Sequence, residues 1–175
     1  MPNCMKFIDE FKGYVNALGV KTILEVGAHT GELMEAVGGE GIDLDPQRED
    51  VKRGDVRKYK GKKYELVFSS GLIEHYSPEE AINVLKAMAK VSSKYVLTYV
   101  PNSGCAVYMN AKKNKSANWP EEWRNELDYT EIELAKLHEE AGLTVVDVGT
   151  AGAEWAKLFG SEPSEPYLVY CLAKK

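Results

Sequence analysis

One run, Thr22-Ile23-Leu24-Glu25-Val26-Gly27-Ala28-His29-Thr30-Gly31, constrains this chain more than any other stretch. Its apolar and β-branched residues read as a buried strand that carries one carboxylate near its end. Gly27 and Gly31 then frame a turn, and Glu32 to Val37 resume at helical spacing. Strand, tight turn and helix start therefore follow one another directly. Glycine tolerates positive φ and has no Cβ, so backbone N–H groups in such a turn can approach a small molecule closely.

The remaining segments alternate around this unit. Residues 6–18 place Phe7, Ile8, Phe11, Tyr14, Val15 and Leu18 on one helical face, and Gly19 stands at the cap position. That helix is expected to cover an edge or face of a sheet. After the first unit, Gly41-Ile42-Asp43-Leu44-Asp45 reads as a short strand ending in acids, and Val51 to Val56 as a third strand. Only Pro46 to Asp50 separates the two, too few residues for a full helix, so the second crossover helix is short or absent. Tyr64 to Gly71 is a buried strand that ends in the small polar residues Ser69 and Ser70. Ser77 and Glu80 form a capping box with Pro78 at the first helical position, and a strand from Lys94 to Val100 follows. Residues 103–128 break the alternation and read as a long irregular insertion bearing Tyr108, Trp119 and Trp123, the expected seat of substrate choice. Thr130 and Glu133 make a second capping box, and Leu143–Val148 and Tyr167–Ala173 read as strands. Trp155, Leu158 and Phe159 suggest a short helix between those two strands. Alternation of this kind implies an α/β, doubly wound, Rossmann-like fold whose mostly parallel sheet binds ligand at its carboxyl ends.

The 175 residues suit a single domain. A net charge of -5 disfavours a nucleic-acid surface, which needs clustered Lys and Arg to replace phosphate counterions. The basic run Arg57 to Lys63 is read as a solvated face. Cys4, Cys105 and Cys171 lie far apart with no CxxC pair, which fits buried thiols in the cytoplasm better than a disulfide framework. No export signal and no apolar run of membrane-spanning length is evident, so no membrane partner is expected. His29, His75 and His138 lack ligand spacing, and no metal site is expected. The sequence leaves the oligomeric state open.

Spacing then selects the nucleotide class. A dinucleotide fingerprint begun at Gly27 would need glycine at both His29 and Glu32, and a P-loop would need a Gly-Lys-Ser/Thr triplet that is absent. Three acids, Glu25, Asp43 and Asp55, would repel phosphates but suit a cationic ligand bearing a ribose and an adenine amine. An acid at the tip of a second strand, like Asp43, stands beside the glycine turn, where it can accept hydrogen bonds from ribose hydroxyls.

At this point the chain resembles class I S-adenosylmethionine-dependent methyltransferases, especially the small-molecule type 11 group. Leu24 to Gly31 looks like their motif I, Gly41-Ile42-Asp43 their ribose motif, and Gly54-Asp55-Val56 their adenine motif. Tyr64 to Val67 with Leu72-Ile73-Glu74-His75 is similar to motif IV and its trailing Glu-His. Thr130 to Val146 is similar to the late helix and strand, and the likeness spans roughly residues 20–150. The resemblance implies a seven-stranded sheet with a reversed last strand, S-adenosylmethionine as cofactor, and methyl transfer to a small-molecule acceptor with release of S-adenosylhomocysteine. It implies cofactor contacts at Glu25, Gly27, Ala28, His29, Gly31, Asp43, Leu44, Asp55, Val56, Ser69 and Ser70. His75 is the candidate general base, because imidazole titrates near neutrality. Glu74, Tyr76, Asn102, Tyr108 and Trp119 are candidates for the acceptor pocket. His29 departs from the pattern by replacing the middle glycine of motif I, and its ring is expected outside the pocket. That departure and the reduced second helix leave one alternative, a non-catalytic protein that binds the cofactor or a related nucleoside as a sensor or partner subunit.

Overall fold

The computed structural model describes residues 5–114, 125–154 and 165–175. Seven strands form one sheet: β1 (Ile23–Val26), β2 (Glu40–Asp43), β3 (Val51–Arg53), β4 (Tyr64–Ser70), β5 (Ser92–Pro101), β6 (Thr144–Ala151) and β7 (Leu168–Lys174). Their spatial order is β3-β2-β1-β4-β5-β7-β6. The first five strands pair in parallel, and β7 runs antiparallel between β5 and β6. The seven-stranded sheet with its reversed last strand is therefore present as expected. Strand order reverses direction at β1, which lies between β2 and β4, so a crevice opens at the carboxyl ends of these strands.

Side-chain alternation divides the core between the two faces of the sheet. Leu24, Val26, Val67, Val96 and Val100 face α3 (Pro78–Val91) and α5 (Glu131–Glu140), which bury Ala81, Val84, Leu85, Met88, Leu134 and Leu137. The intervening residues Ile23, Leu66, Phe68, Leu97 and Tyr99 face α1 (Met5–Ala17), which supplies Phe7, Phe11 and Val15. Phe11 lies 4.8 Å from the Phe68 ring and 5.8 Å from the Tyr99 ring, so α1 covers a face rather than an edge. Both capping boxes form as the sequence predicts, Ser77 with Glu80 and Thr130 with Glu133.

Several boundaries differ from expectation. β3 ends at Arg53, and Val56–Lys58 forms a 3₁₀ turn capped by Asp55 rather than the end of a strand. No helix forms between β2 and β3, in agreement with the short spacing. The 103–128 insertion is not irregular throughout, because Ala106–Asn114 forms α4. Tyr108 is the anchor, fully buried against Tyr167 at 5.0 Å between ring centroids. A single apolar anchor with weak periodicity explains why the segment did not read as a helix. Trp119, Trp123, Trp155, Leu158 and Phe159, with the helix expected around the last three, lie outside the described residues. Among the described residues no helix is long and apolar enough to cross a membrane.

Candidate cofactor and acceptor site

β1 delivers Glu25 and Gly27 to the crevice, and α2 (Glu32–Ala36) begins just beyond Gly31. Gly27 adopts φ 77°, and its N–H donates to the Ile42 carbonyl at 2.9 Å. A Cβ at Gly27 would come within 3.0 Å of Leu72, so the glycine permits both the backbone conformation and the close approach. His29 has φ 35°, the one described non-glycine residue with positive φ. The backbone thus keeps a conformation that favours glycine although the side chain is imidazole. His29 is exposed, and its N–H donates to Asp43 Oδ2 at 2.9 Å.

Asp43 ends β2 and uses both oxygens on the backbone, since Oδ1 accepts from the Asp45 N–H at 2.7 Å. The carboxylate ties the tip of β2 to the glycine turn. Glu25 is 4% exposed and accepts from the Met34 N–H at 2.8 Å. Burial pushes its carboxyl up to about 8, the Met34 N–H opposes that shift, and the nearby Asp43 and Glu32 charges add to it. Asp55 sits two residues after β3 and caps the 3₁₀ turn, with Oδ1 accepting from the Arg57 N–H at 2.9 Å. The Arg57 guanidinium beside it holds its carboxyl below the usual carboxylate range.

These elements line a small cleft that opens to solvent at the carboxyl ends of the strands. Gly27, Asp43, Leu44, Asp55 and Val56 line it, five of the eleven expected cofactor contacts. Leu44 is 56% exposed, an apolar side chain at an open rim rather than in a core. Apolar Val26, Ile42, Leu72 and Val84 complete the walls, together with Gly54, Arg57 and Tyr76. Sequence reasoning did not select Arg57, Leu72 or Val84. Arg57 leaves the solvated basic run in which its sequence context places it, and its position two residues after Asp55 is the signal that joins it to the cleft. Glu25, Ala28, His29, Gly31, Ser69 and Ser70 do not line the cleft; Glu25 and Ala28 are buried beside it. Ser69 is fully buried and its Oγ has no hydrogen-bond partner among the described residues.

The acceptor candidates divide into three places. Tyr76 stands on the cleft with Asp55 and Arg57. Asn102 braces a loop, donating to the Pro166 carbonyl at 2.9 Å and accepting from the Gly104 N–H at 2.8 Å. Glu74 and Tyr108 belong to a buried acidic cluster beyond the carboxyl ends of β4 and β5. Tyr108 donates to Asp128 at 2.7 Å, Lys112 pairs with Asp128 at 2.6 Å, and His75 Nε2 lies 3.6 Å from Glu126 Oε1. Glu74 is 1% exposed, with Oε2 unpartnered among the described residues. Burial first, then the Glu126 and Asp128 charges, raise its carboxyl well above the ordinary value. The His75 side chain remains 43% exposed at the edge of this cluster. His138 lies elsewhere, buried on α5 between Thr98 Oγ1 at 3.2 Å and the Leu134 carbonyl at 2.9 Å, and burial pushes it down to about 4.

Strand order, the reversed β7 and a glycine turn at the switch point together give this chain the fold of class I S-adenosylmethionine-dependent methyltransferases. Solved structures with that fold superpose over nearly its whole length. Magnesium protoporphyrin IX methyltransferase from Synechocystis, with bound S-adenosylhomocysteine, matches with a TM-score of 0.69 at 14% identity, over 97% of this chain and 82% of that one. The Burkholderia thailandensis 1,6-didemethyltoxoflavin-N1-methyltransferase matches with a TM-score of 0.69 at 18% identity, over 96% and 77% of the respective chains. An S-adenosylmethionine-dependent methyltransferase from Clostridium acetobutylicum matches with a TM-score of 0.68 at 10% identity, over 98% and 92%. At such identities the likeness establishes the fold alone. No protein-family model matches the sequence, and no curated protein is similar to it.

Proposed function

We propose that this chain is an S-adenosylmethionine-dependent methyltransferase that acts on a small molecule at oxygen, nitrogen or carbon. The observation that carries the reading is the cleft at the strand switch point, where Gly27, Asp43 and Asp55 converge from three consecutive loops with an apolar wall between them. When bound, the cofactor supplies a sulfonium methyl that passes to a nucleophilic atom while sulfur keeps the bonding pair, leaving S-adenosylhomocysteine. The chain's residues fit such a ligand. Asp43 offers its remaining lone pairs to ribose hydroxyls, and Asp55 offers a carboxylate to the exocyclic amine. Leu44, Val56 and Leu72 supply apolar surface for a purine ring. Glu25, buried beneath the glycine turn, orders the end of the site that would hold the methionine group through its bond to Met34.

Because the sulfonium is already activated, the protein's part is alignment and exclusion of water. A base is needed only where the acceptor loses a proton in the step. His75 fits that part, with an exposed imidazole oriented by the Glu126 carboxylate. The cluster around Glu74, with Tyr108 on α4, would supply the acceptor side. The net charge of -5 supports a small molecule over a nucleic acid. The buried thiols Cys105 and Cys171 suit a reducing cytoplasm.

Calorimetric titration with S-adenosylmethionine and S-adenosylhomocysteine tests the reading. Saturable binding of both, followed by transfer of a labelled methyl to an acceptor in a small-molecule screen, is the expected outcome. No binding of either ligand refutes it. Binding without transfer to any acceptor moves the chain to the non-catalytic sensor or partner role.

A further inference from the structure

Asp55 and Arg57 form a fork-to-fork pair on the wall of the cleft. Arg57 Nε lies 2.9 Å from Oδ1 and 3.0 Å from Oδ2, and Nη2 lies 2.8 Å from Oδ2. The Arg57 backbone N–H adds a bond to Oδ1 at 2.9 Å. A carboxylate accepts about four hydrogen bonds, two per oxygen. Three hydrogens meet these four sites: the backbone N–H on Oδ1, the Nη2–H on Oδ2, and a single Nε–H shared between the two oxygens. One strong acceptor direction remains, on an oxygen of a side chain that lines the cleft and keeps 16% exposure. The guanidinium is itself held 6.0 Å from the Tyr76 ring centroid, and Tyr76 lines the same cleft.

We propose that Arg57 is the positioning residue for base recognition: it fixes the Asp55 carboxylate in one plane so that its last acceptor site meets the exocyclic amine of a purine. The inference rests on the reading of the cleft as a nucleoside site. A bidentate guanidinium removes the rotational freedom that an unpaired aspartate otherwise keeps, so little ordering is left for the ligand to impose. It also keeps Asp55 an acceptor at pH values where an unpaired carboxyl would protonate and present a donor to the amine. The other charged groups around the pair are Lys58 toward Asp55, and Glu80 and Tyr76 toward Arg57. None of them replaces the fork, because none hydrogen-bonds to the Asp55 oxygens.

The test compares wild type, Arg57→Ala and Arg57→Lys by calorimetry against two probes, S-adenosylhomocysteine and its analogue lacking the 6-amino group. Arg57→Ala is expected to weaken S-adenosylhomocysteine about tenfold at pH 7.5, the order expected for a disordered charge-assisted acceptor. The deamino analogue should change less than about twofold by the same reasoning, since it makes no bond to Asp55. Arg57→Lys should recover part of the loss as a monodentate cation. Lowering the pH through the ordinary carboxylate range should weaken Arg57→Ala more steeply than wild type. Equal losses for both probes, or unchanged S-adenosylhomocysteine affinity in Arg57→Ala, overturn the positioning role while leaving the cofactor reading intact. A wild-type protein that binds neither probe overturns both.

Discussion

Glu25→Gln should make the protein more stable and a poorer binder at once. Glu25 is a carboxyl in the first core strand, 4% exposed, with a hydrogen bond from the Met34 N–H and, among the described residues, no cation against it. Its folded value near 8 stands above the ordinary 4.5, so folding favours the protonated form. The sign follows directly: the stability is complete below about pH 4.5 and is lost progressively as pH rises toward 8. At pH 7 the unfolded chain has released this proton and the folded chain mostly has not. About 2.5 pH units at about 1.4 kcal/mol each give a cost of up to ~3 kcal/mol for keeping Glu25 in place.

Glutamine has nearly the same shape and its carbonyl oxygen can still accept from Met34, so the variant removes the charge and keeps the bond. Urea denaturation of both proteins at pH 4.5, 6 and 7.5 measures the effect. The expected difference is close to zero at pH 4.5 and grows to about 1–3 kcal/mol in favour of Glu25→Gln at pH 7.5. His138 titrates in the opposite direction, destabilising the fold as pH falls below its ordinary 6.5, but it is common to both proteins and cancels. A pH-independent difference, or a variant less stable than wild type at pH 7.5, would refute the assignment of Glu25 as a buried, destabilising acid. S-adenosylmethionine affinity measured alongside should fall about tenfold or more, as expected where strain at a binding site is retained for its use.

Three further substitutions probe the same turn. Asp43→Ala should weaken S-adenosylhomocysteine by about 1–3 kcal/mol in calorimetry, because it removes a charged partner from the ribose and frees the His29 and Asp45 N–H groups; unchanged affinity would mean that Asp43 has only a structural role. His29→Gly should raise the melting temperature, since relieving a positive φ at an exposed residue is worth up to about 1 kcal/mol, and a fall would show that the ring is engaged. Gly41→Ala should destabilise the fold by about 1–3 kcal/mol in the same melts, because a Cβ there would come within 2.8 Å of Ala28 Cβ and 2.7 Å of Met34 Sδ.

The sheet was legible because its strands carry local signatures. Gly27, Asp43 and Asp55 each end or follow a β-rich run, and parallel alternation brings such ends to one edge. The cleft followed from the same logic. What sequence spacing could not supply was lateral contact. Arg57 joins the cleft only because a 3₁₀ turn folds the chain back at Asp55, and Leu72 and Val84 arrive from elements whose distance from Gly27 in sequence says nothing of their distance in space. Ser69 illustrates the converse. It stands at the correct strand end, yet strand parity turns its side chain into the core beneath α3.

The missing helix between β2 and β3 shifts how the cleft must hold a ligand. Residues 44–50 are pinned by ion pairs instead: Arg48 reaches Glu35 and Asp50, each at 2.7 Å, and Arg53 reaches Asp45 at 2.9 Å. Five of those side chains are between 31% and 77% exposed, so solvent screens each pair to a small contribution. The firmer ties are backbone ones, from the Gly54 N–H to the Asp43 carbonyl at 2.7 Å and from the Gln47 N–H to the His29 carbonyl at 3.0 Å. His29 is therefore more than a departure from a glycine pattern. Its N–H and carbonyl join the glycine turn to the tip of β2 and to the loop that stands where a helix would. A wall built this way is open on the Leu44 side, so on the proposed reading recognition of the base would fall to Asp55 and the residue that orients it.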